Sequence, residues 1–232
     1  MKPIIVGNWK CNPISLAEAK QLFSSVAKGI RNTRPGLSRR VEIVICPPFV
    51  YLSEVGKQKS DLKLGAQDCF WEEKGAFTGE ISGKMLKNLG CQYVIIGHSE
   101  GRKYQKETDD MINKKLEAVL KIKLKAILCI DNVSQVKKDL KGIPQKELKN
   151  LILAYEPLFA IGTGKPCSPE KAKNMRVSIQ RNLKKTTLVL YGGSVDSQNA
   201  KDYVKKAGFQ GLLVGGASLK PKEFIGIIKN VR

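Results

Sequence analysis

Only one histidine, His98, occurs among the 232 residues. A single imidazole excludes Cys/His zinc sites and any two-histidine metal site. The six cysteines, at positions 11, 46, 69, 91, 129 and 167, include no C-x-x-C pair. Their scatter reads as free buried thiols in a reducing cytoplasm, not as a disulfide framework. No apolar run approaches the roughly 18 residues of a membrane span. The start, Met1 to Gly7, lacks the apolar core and cleavage site of a signal peptide. Acidic residues are scarce as well, 21 against 41 basic, for a net charge of +20. That excess suits attraction of a small anion or of nucleic acid. The lysines are spread along the chain, however, for example at Lys114, Lys115, Lys121, Lys137, Lys184 and Lys205, and most of them read as solvated positions on outer helix faces. No basic groove interleaved with aromatics is present, which weighs against a nucleic-acid-binding barrel. The mark of that alternative is a duplex affinity that falls steeply with salt.

What the sequence does have is regular alternation. Apolar, β-rich runs occur at Ile4–Gly7, Val41–Cys46, Leu62–Ala66, Tyr93–Ile96, Ala126–Ile130, Leu151–Tyr155, Thr187–Tyr191 and Gly211–Val214. Amphipathic helical patterns separate them, at Ser15–Ile30, Val50–Lys57, Ser82–Asn88, Thr108–Lys121, Ser134–Leu140, Pro169–Leu183, Gln198–Ala207 and Pro221–Val231. No low-complexity tract or long linker interrupts the series, so one domain over residues 1–232 is expected. Repeated strand–helix units imply parallel strands with right-handed crossovers. Continuously apolar strands such as VEIVIC are those of a sheet buried on both faces. Eight units in this length predict an α/β fold, a closed (β/α)8 barrel with outer helices, rather than a doubly wound sheet. Function in such a barrel collects at the C-terminal ends of the strands.

Those ends carry reactive residues. The stretch Leu151 to Cys167 delivers an acid, Glu156, at the end of a buried strand, where Pro157 stops the ladder. Ile161-Gly162-Thr163-Gly164-Lys165 then offers free backbone N–H groups that can close over an anion. Ser168 and Pro169 read as the cap and first residue of the next helix. Strand one ends Gly7-Asn8-Trp9-Lys10, and strand alternation points Asn8 and Lys10 together into the barrel mouth. Strand four ends with His98-Ser99-Glu100, at the start of a helical turn whose partial positive charge disfavours imidazolium. Gly192-Gly193-Ser194 and Gly215-Gly216 follow strands seven and eight and let backbone approach a ligand, where barrels often hold phosphate. A carboxylate base, a neutral imidazole, a lysine and an anion cradle with a lid can move a proton alpha to a carbonyl in a small phosphorylated compound.

These motifs resemble the triosephosphate isomerase family. The likeness runs from Gly7 to the last helix through Gly7-Asn8-Trp9-Lys10, Gly75 to Glu80, Ile96 to Glu100, Ala154 to Pro157, Ala160 to Lys165, Tyr191 to Val195 and Gly215 to Leu219. A glutamate base beside a neutral histidine under a closing loop is a documented pattern of that family. The resemblance implies a TIM barrel that interconverts dihydroxyacetone phosphate and D-glyceraldehyde 3-phosphate in glycolysis and gluconeogenesis. It implies Glu156 as base, His98 as electrophile, and Lys10 with Asn8 as substrate anchors. Backbone groups of Gly162, Ser194, Gly215 and Gly216 would bind phosphate, and Glu100, with Ser99, would support the site from behind. It implies a cytoplasmic homodimer in which loop 67–80 sets Thr78, Gly79 and Glu80 against the partner. No metal, organic cofactor, membrane or specific nucleic acid is implied. A barrel isomerase for a related phosphosugar is the alternative, and the lid and both double-glycine loops match the triose enzymes instead.

Three departures stand out. Gly101 replaces the first of two arginines usual in the family, which predicts that Glu80 or Glu107 lacks a partner and that Gly101→Arg raises the denaturation midpoint. Phe159 and Asn132 stand where the family has a hydrogen-bonded tryptophan and glutamate, which predicts that the two changes compensate. Pro166 falls at the second hinge of the lid, and its fixed φ limits motion there.

Overall fold

A computed structural model describes residues 2–33, 36, 40–162, 164–183 and 187–231. Thr163 of the glycine loop, Lys184 and Lys185 lie outside the described residues. Eight parallel strands close into a barrel in chain order. They are β1 (Ile4–Asn8), β2 (Glu42–Cys46), β3 (Lys63–Ala66), β4 (Tyr93–Ile96), β5 (Lys125–Ile130), β6 (Leu151–Tyr155), β7 (Leu188–Tyr191) and β8 (Gly211–Val214). Each expected strand is found, with its ends moved by a residue or so. The seam between β8 and β1 depends on one glycine. A Cβ on Gly211 would lie 1.9 Å from the Ile4 carbonyl oxygen, so no other residue lets the strands meet there.

Period-two alternation divides the apolar residues into two cores. Ile4, Val6, Val44, Ile95, Ile127, Ile152 and Ala154 belong to one cluster, which fills the barrel. Ile5, Ile43, Ile45, Val94 and Leu153 belong to another that also holds Phe23, Leu116 and Phe224 from the helices. Strands buried on both faces are therefore apolar throughout, as VEIVIC is.

Among the described residues, the α-helices of six residues or more are α1 (Leu16–Thr33), α2 (Phe49–Gly56), α3 (Gly83–Asn88), α4 (Ser99–Tyr104), α5 (Asp109–Lys121), α6 (Val133–Asp139), α7 (Pro169–Arg181), α8 (Ala200–Lys205) and α9 (Pro221–Asn230). Ser82, Thr108 and Ser168 cap α3, α5 and α7 by accepting from backbone N–H groups in the first turn. Asn132 caps α6, with Oδ1 accepting from the N–H groups of Ser134 at 2.9 Å and Gln135 at 3.3 Å. Gln135 reaches back to accept from the Asp131 N–H at 2.9 Å. Asn132 thus has a local task of its own, independent of Phe159, which is 64% exposed. Among the described residues no helix is long and apolar enough to cross a membrane.

One charge cluster narrows two expectations. Lys115 is not on a solvated face; it is 6% exposed and bridges Asp68, at 2.6 Å, and Glu107. A buried ammonium needs such partners. Glu107 therefore has its counter-ion without an arginine at position 101. A Cβ on Gly101 would fall 2.8 Å from Glu107 Oε2. The Gly101→Arg substitution is accordingly expected to lower the thermal unfolding midpoint, by overpacking worth about 1–3 kcal/mol. Circular dichroism melts check this, and a raised midpoint would restore the earlier expectation.

Candidate functional site

Alternation carries two site residues into the barrel mouth. Asn8 continues the inward series Ile4, Val6, and Glu156 continues Ile152, Ala154. Both are buried, Glu156 to 2% exposure. The Glu156 N–H still bonds to the Ile130 carbonyl at 2.8 Å, so the ladder holds this carboxylate in register until Pro157 ends it.

Lys10 reaches the same hollow by another route than strand alternation. It lies past the end of β1 with a left-handed backbone, φ 54°. Its N–H donates to Asn8 Oδ1 at 3.0 Å. Gln67 Nε2 donates to the carbonyls of Lys10 and Cys46, at 2.9 Å each. These bonds over-determine a backbone conformation that costs about 1–3 kcal/mol in isolation. Gln67 was read from sequence only as the start of a loop. Its signal, an amide directly after strand three, was too common to single out. The lysine ammonium then meets Glu100 Oε1 at 2.6 Å.

His98 caps α4 with its own ring. Nδ1 accepts from the Glu100 N–H at 3.2 Å, which requires that nitrogen to be without a proton. The ring proton is thereby assigned to Nε2, which faces Glu156 Oε1 at 3.1 Å. The other carboxylate oxygen accepts from the Ser99 N–H at 3.3 Å. Burial alone would raise the Glu156 pKa, but His98, the Ser99 N–H and Lys10 outweigh it and hold the carboxyl below its ordinary value. Burial likewise opposes a charge on His98, and Glu156 and Glu100 outweigh it and hold the imidazole above its ordinary value. When Glu156 takes up a proton, most of that pull on the histidine disappears.

A cavity of about 490 Å³ opens from this group toward the glycine loops. Asn8, Lys10, His98 and Glu156 line one side; Gly162, Gly164, Ser194, Gly215 and Gly216 line the other. The two double glycines work differently. A Cβ on Gly192 would press within 2.9 Å of Glu156 Cγ, and one on Gly193 within 2.7 Å of the Tyr191 hydroxyl. Both therefore make room for protein side chains, and Gly192 also lines the cavity. A Cβ on Gly215 would sit 3.1 Å from Lys10 Cε, while nothing lies within 4 Å of Gly216. Ser194 is fixed by its hydroxyl on the Ala160 carbonyl, which ties β7's loop to the lid. Thr78, Gly79 and Glu80 are exposed and do not line this cavity.

A buried carboxylate, an imidazole with its proton on Nε2 and a lysine on one wall, with glycine loops opposite, suit aldose–ketose isomerisation of a small phosphate ester. The barrel is that of an isomerase of this class. The family model described as triosephosphate isomerase matches residues 3–231. A triosephosphate isomerase of Alkaliphilus oremlandii is 43% identical, with 98% of each chain covered. Those of Alkaliphilus metalliredigens and a Synechococcus strain are 41% and 40% identical, with 98% of this chain and 98% and 97% of theirs covered. The chain belongs to the triosephosphate isomerase family.

Proposed function

We propose that Glu156, His98 and Lys10 perform the interconversion of dihydroxyacetone phosphate and D-glyceraldehyde 3-phosphate, the family's step in glycolysis and gluconeogenesis. The observation that carries the assignment is the 3.1 Å approach of Glu156 Oε1 to His98 Nε2 across the mouth of the cavity. Both Glu156 oxygens are held by protein donors, so substrate binding must release one before the base can reach carbon. Glu156 then removes a proton from C1, and the electron pair moves through the C1–C2 bond onto the C2 oxygen. The Nε2–H of His98 and the Lys10 ammonium donate to that oxygen. A proton passes between the two enediolate oxygens through His98, and Glu156 returns its proton to C2. Protonated Glu156 no longer pulls on the imidazole, so the ring is neutral when the enediolate forms. Asn8 anchors the substrate, and backbone N–H groups of Gly162, Ser194, Gly215 and Gly216 hold its phosphate. Glu100 and Ser99 orient Lys10 and Glu156.

Proton abstraction leaves a mark that turnover alone does not. Incubation of dihydroxyacetone phosphate with the enzyme in D2O is expected to place deuterium at C1, read by proton NMR. Isomerisation without any exchange into recovered substrate or product would count against a carbon-acid mechanism.

The same reading includes a homodimer, one barrel domain over the whole chain and a cytoplasmic setting. Support for the dimer comes from the exposed tip of loop 67–80, where Phe77 is 43% exposed, and from a cleft of about 250 Å³ beside Asn8, Lys10 and His98, lined also by Gly101 and Glu107. The tip of a second copy fits such a cleft. Six free cysteines, five of them buried, suit a reducing compartment. Sedimentation equilibrium is expected to return twice the chain mass.

A further inference from the structure

Cys167 is the first buried residue after the lid segment. Gly162 and Gly164 are exposed, with φ of 69° and 70°, whereas Cys167 is 3% exposed. Both polar groups of the Cys167 backbone are held by tyrosine hydroxyls. Its N–H donates to the Tyr191 hydroxyl at 3.2 Å, and its carbonyl accepts from the Tyr203 hydroxyl at 2.5 Å. The two rings stack, with centroids 3.7 Å apart and planes 13° from parallel. Tyr191 ends β7, directly before the glycine–serine loop that lines the substrate cavity. Tyr203 comes from α8 and is 1% exposed. A phenylalanine would fill the same space at 203. A buried hydroxyl there is costly unless it has a partner, and its partner is the lid's last carbonyl.

We propose that Tyr203 is a positioning residue for the lid, clamping the carbonyl of Cys167 so that closure over the substrate phosphate is confined to the residues before it. The proposal rests on the assignment of Gly162 to phosphate binding. With both sides of residue 167 fixed, the hinge is limited to 164–166, where Pro166 already restricts one φ. A short hinge has little conformational freedom to lose when substrate binds. Without the Tyr203 hydroxyl the mobile stretch extends toward the Ser168 cap. The lid then closes at greater entropic cost and excludes water less completely.

The test is Tyr203→Phe, assayed with two substrates well below its unfolding midpoint. Loss of one buried hydrogen bond, about 0.5–1.5 kcal/mol, corresponds to a fall in kcat/KM of about 2- to 10-fold. That fall is expected for dihydroxyacetone phosphate, with more turnovers ending in free inorganic phosphate. D-glyceraldehyde carries no phosphate for the lid to grip, and its slow isomerisation is expected to be unchanged. Equal losses on both substrates, or none on either, would overturn the clamp. A second measurement needs no variant. Amide hydrogen exchange in the wild type is expected to be slow at Cys167 and fast at Gly162 and Gly164; fast exchange at Cys167 would be equally fatal. Should the wild type fail to isomerise dihydroxyacetone phosphate at all, the functional assignment falls instead, and the two failures are told apart.

Discussion

Glu156→Gln is expected to lower kcat for dihydroxyacetone phosphate by about 10²- to 10⁴-fold, the span that a positioned general base contributes. Glutamine matches the volume of glutamate and can still accept from the Ser99 N–H, now 3.3 Å from a carboxylate oxygen. Its amide cannot take a proton from carbon. The fold should survive, because the residue follows β6 and its ladder bond is made by backbone. KM should change little, since the proposed phosphate site lies on the loops of the far wall, and a loss confined to kcat is the signature of an interaction made in the transition state. Deuterium incorporation at C1 should fall in step with turnover. A variant that retains more than a tenth of wild-type kcat would remove Glu156 from the role of base.

The route by which each site residue was legible differs. Asn8 and Glu156 follow from counting, because an inward-facing series of period two must end at the barrel mouth. Lys10 was placed in the mouth by the same count, but its actual position depends on a left-handed residue and on Gln67, 57 positions away in sequence. Backbone strain of that kind leaves no periodic trace. His98 was legible as the start of a helix, though not as its cap; that its ring accepts from Glu100 became visible only with the backbone in place. Asn132 did carry a local signal, since an asparagine followed three residues later by glutamine is a helix start. Lys115 is an exception to the solvated lysines that sequence does not single out, because its partners, 8 and 47 positions distant, fall outside the i, i+4 spacing by which helix charges are paired. The double glycine at 192 and 193 reads from sequence as a ligand cradle, and Gly192 does line the cavity, but the bulk the pair avoids, Glu156 and Tyr191, leaves no local signal. Close packing between distant segments is the common element in these misses.

Arg102→Met is expected to destabilise the fold by about 3–5 kcal/mol, the cost of breaking a buried ion pair from one side. Arg102 pairs with Asp109 at 2.7 Å and with Asp139 at 2.6 Å, and its Nε donates to the Gly97 carbonyl at 3.0 Å. It thus joins the end of β4 to α5 and α6. The Asp139 side chain is fully buried; Oδ2 accepts from Arg102, and Oδ1 has no hydrogen-bond partner. Methionine fills the stem's space and leaves that carboxylate without a counter-ion. At about 2–4 °C per kcal/mol, the midpoint should drop by roughly 6–20 °C. Acid should relieve the defect. Burial pushes Asp139 up to about 6 even with the guanidinium drawing it down, so removal of Arg102 raises it further. A carboxyl raised above its unfolded value of about 3.9 binds protons more tightly when folded, and it contributes stability at low pH that is lost as pH climbs through the folded value. The gap between variant and wild type should therefore be widest near pH 8 and narrow toward pH 5. Lysine at 102 is not expected to rescue it, because one ammonium cannot span two carboxylates and a carbonyl in the plane of a guanidinium. A gap of under 2 °C, or one that widens on acidification, would mean that Asp139 is not held in the fold by Arg102.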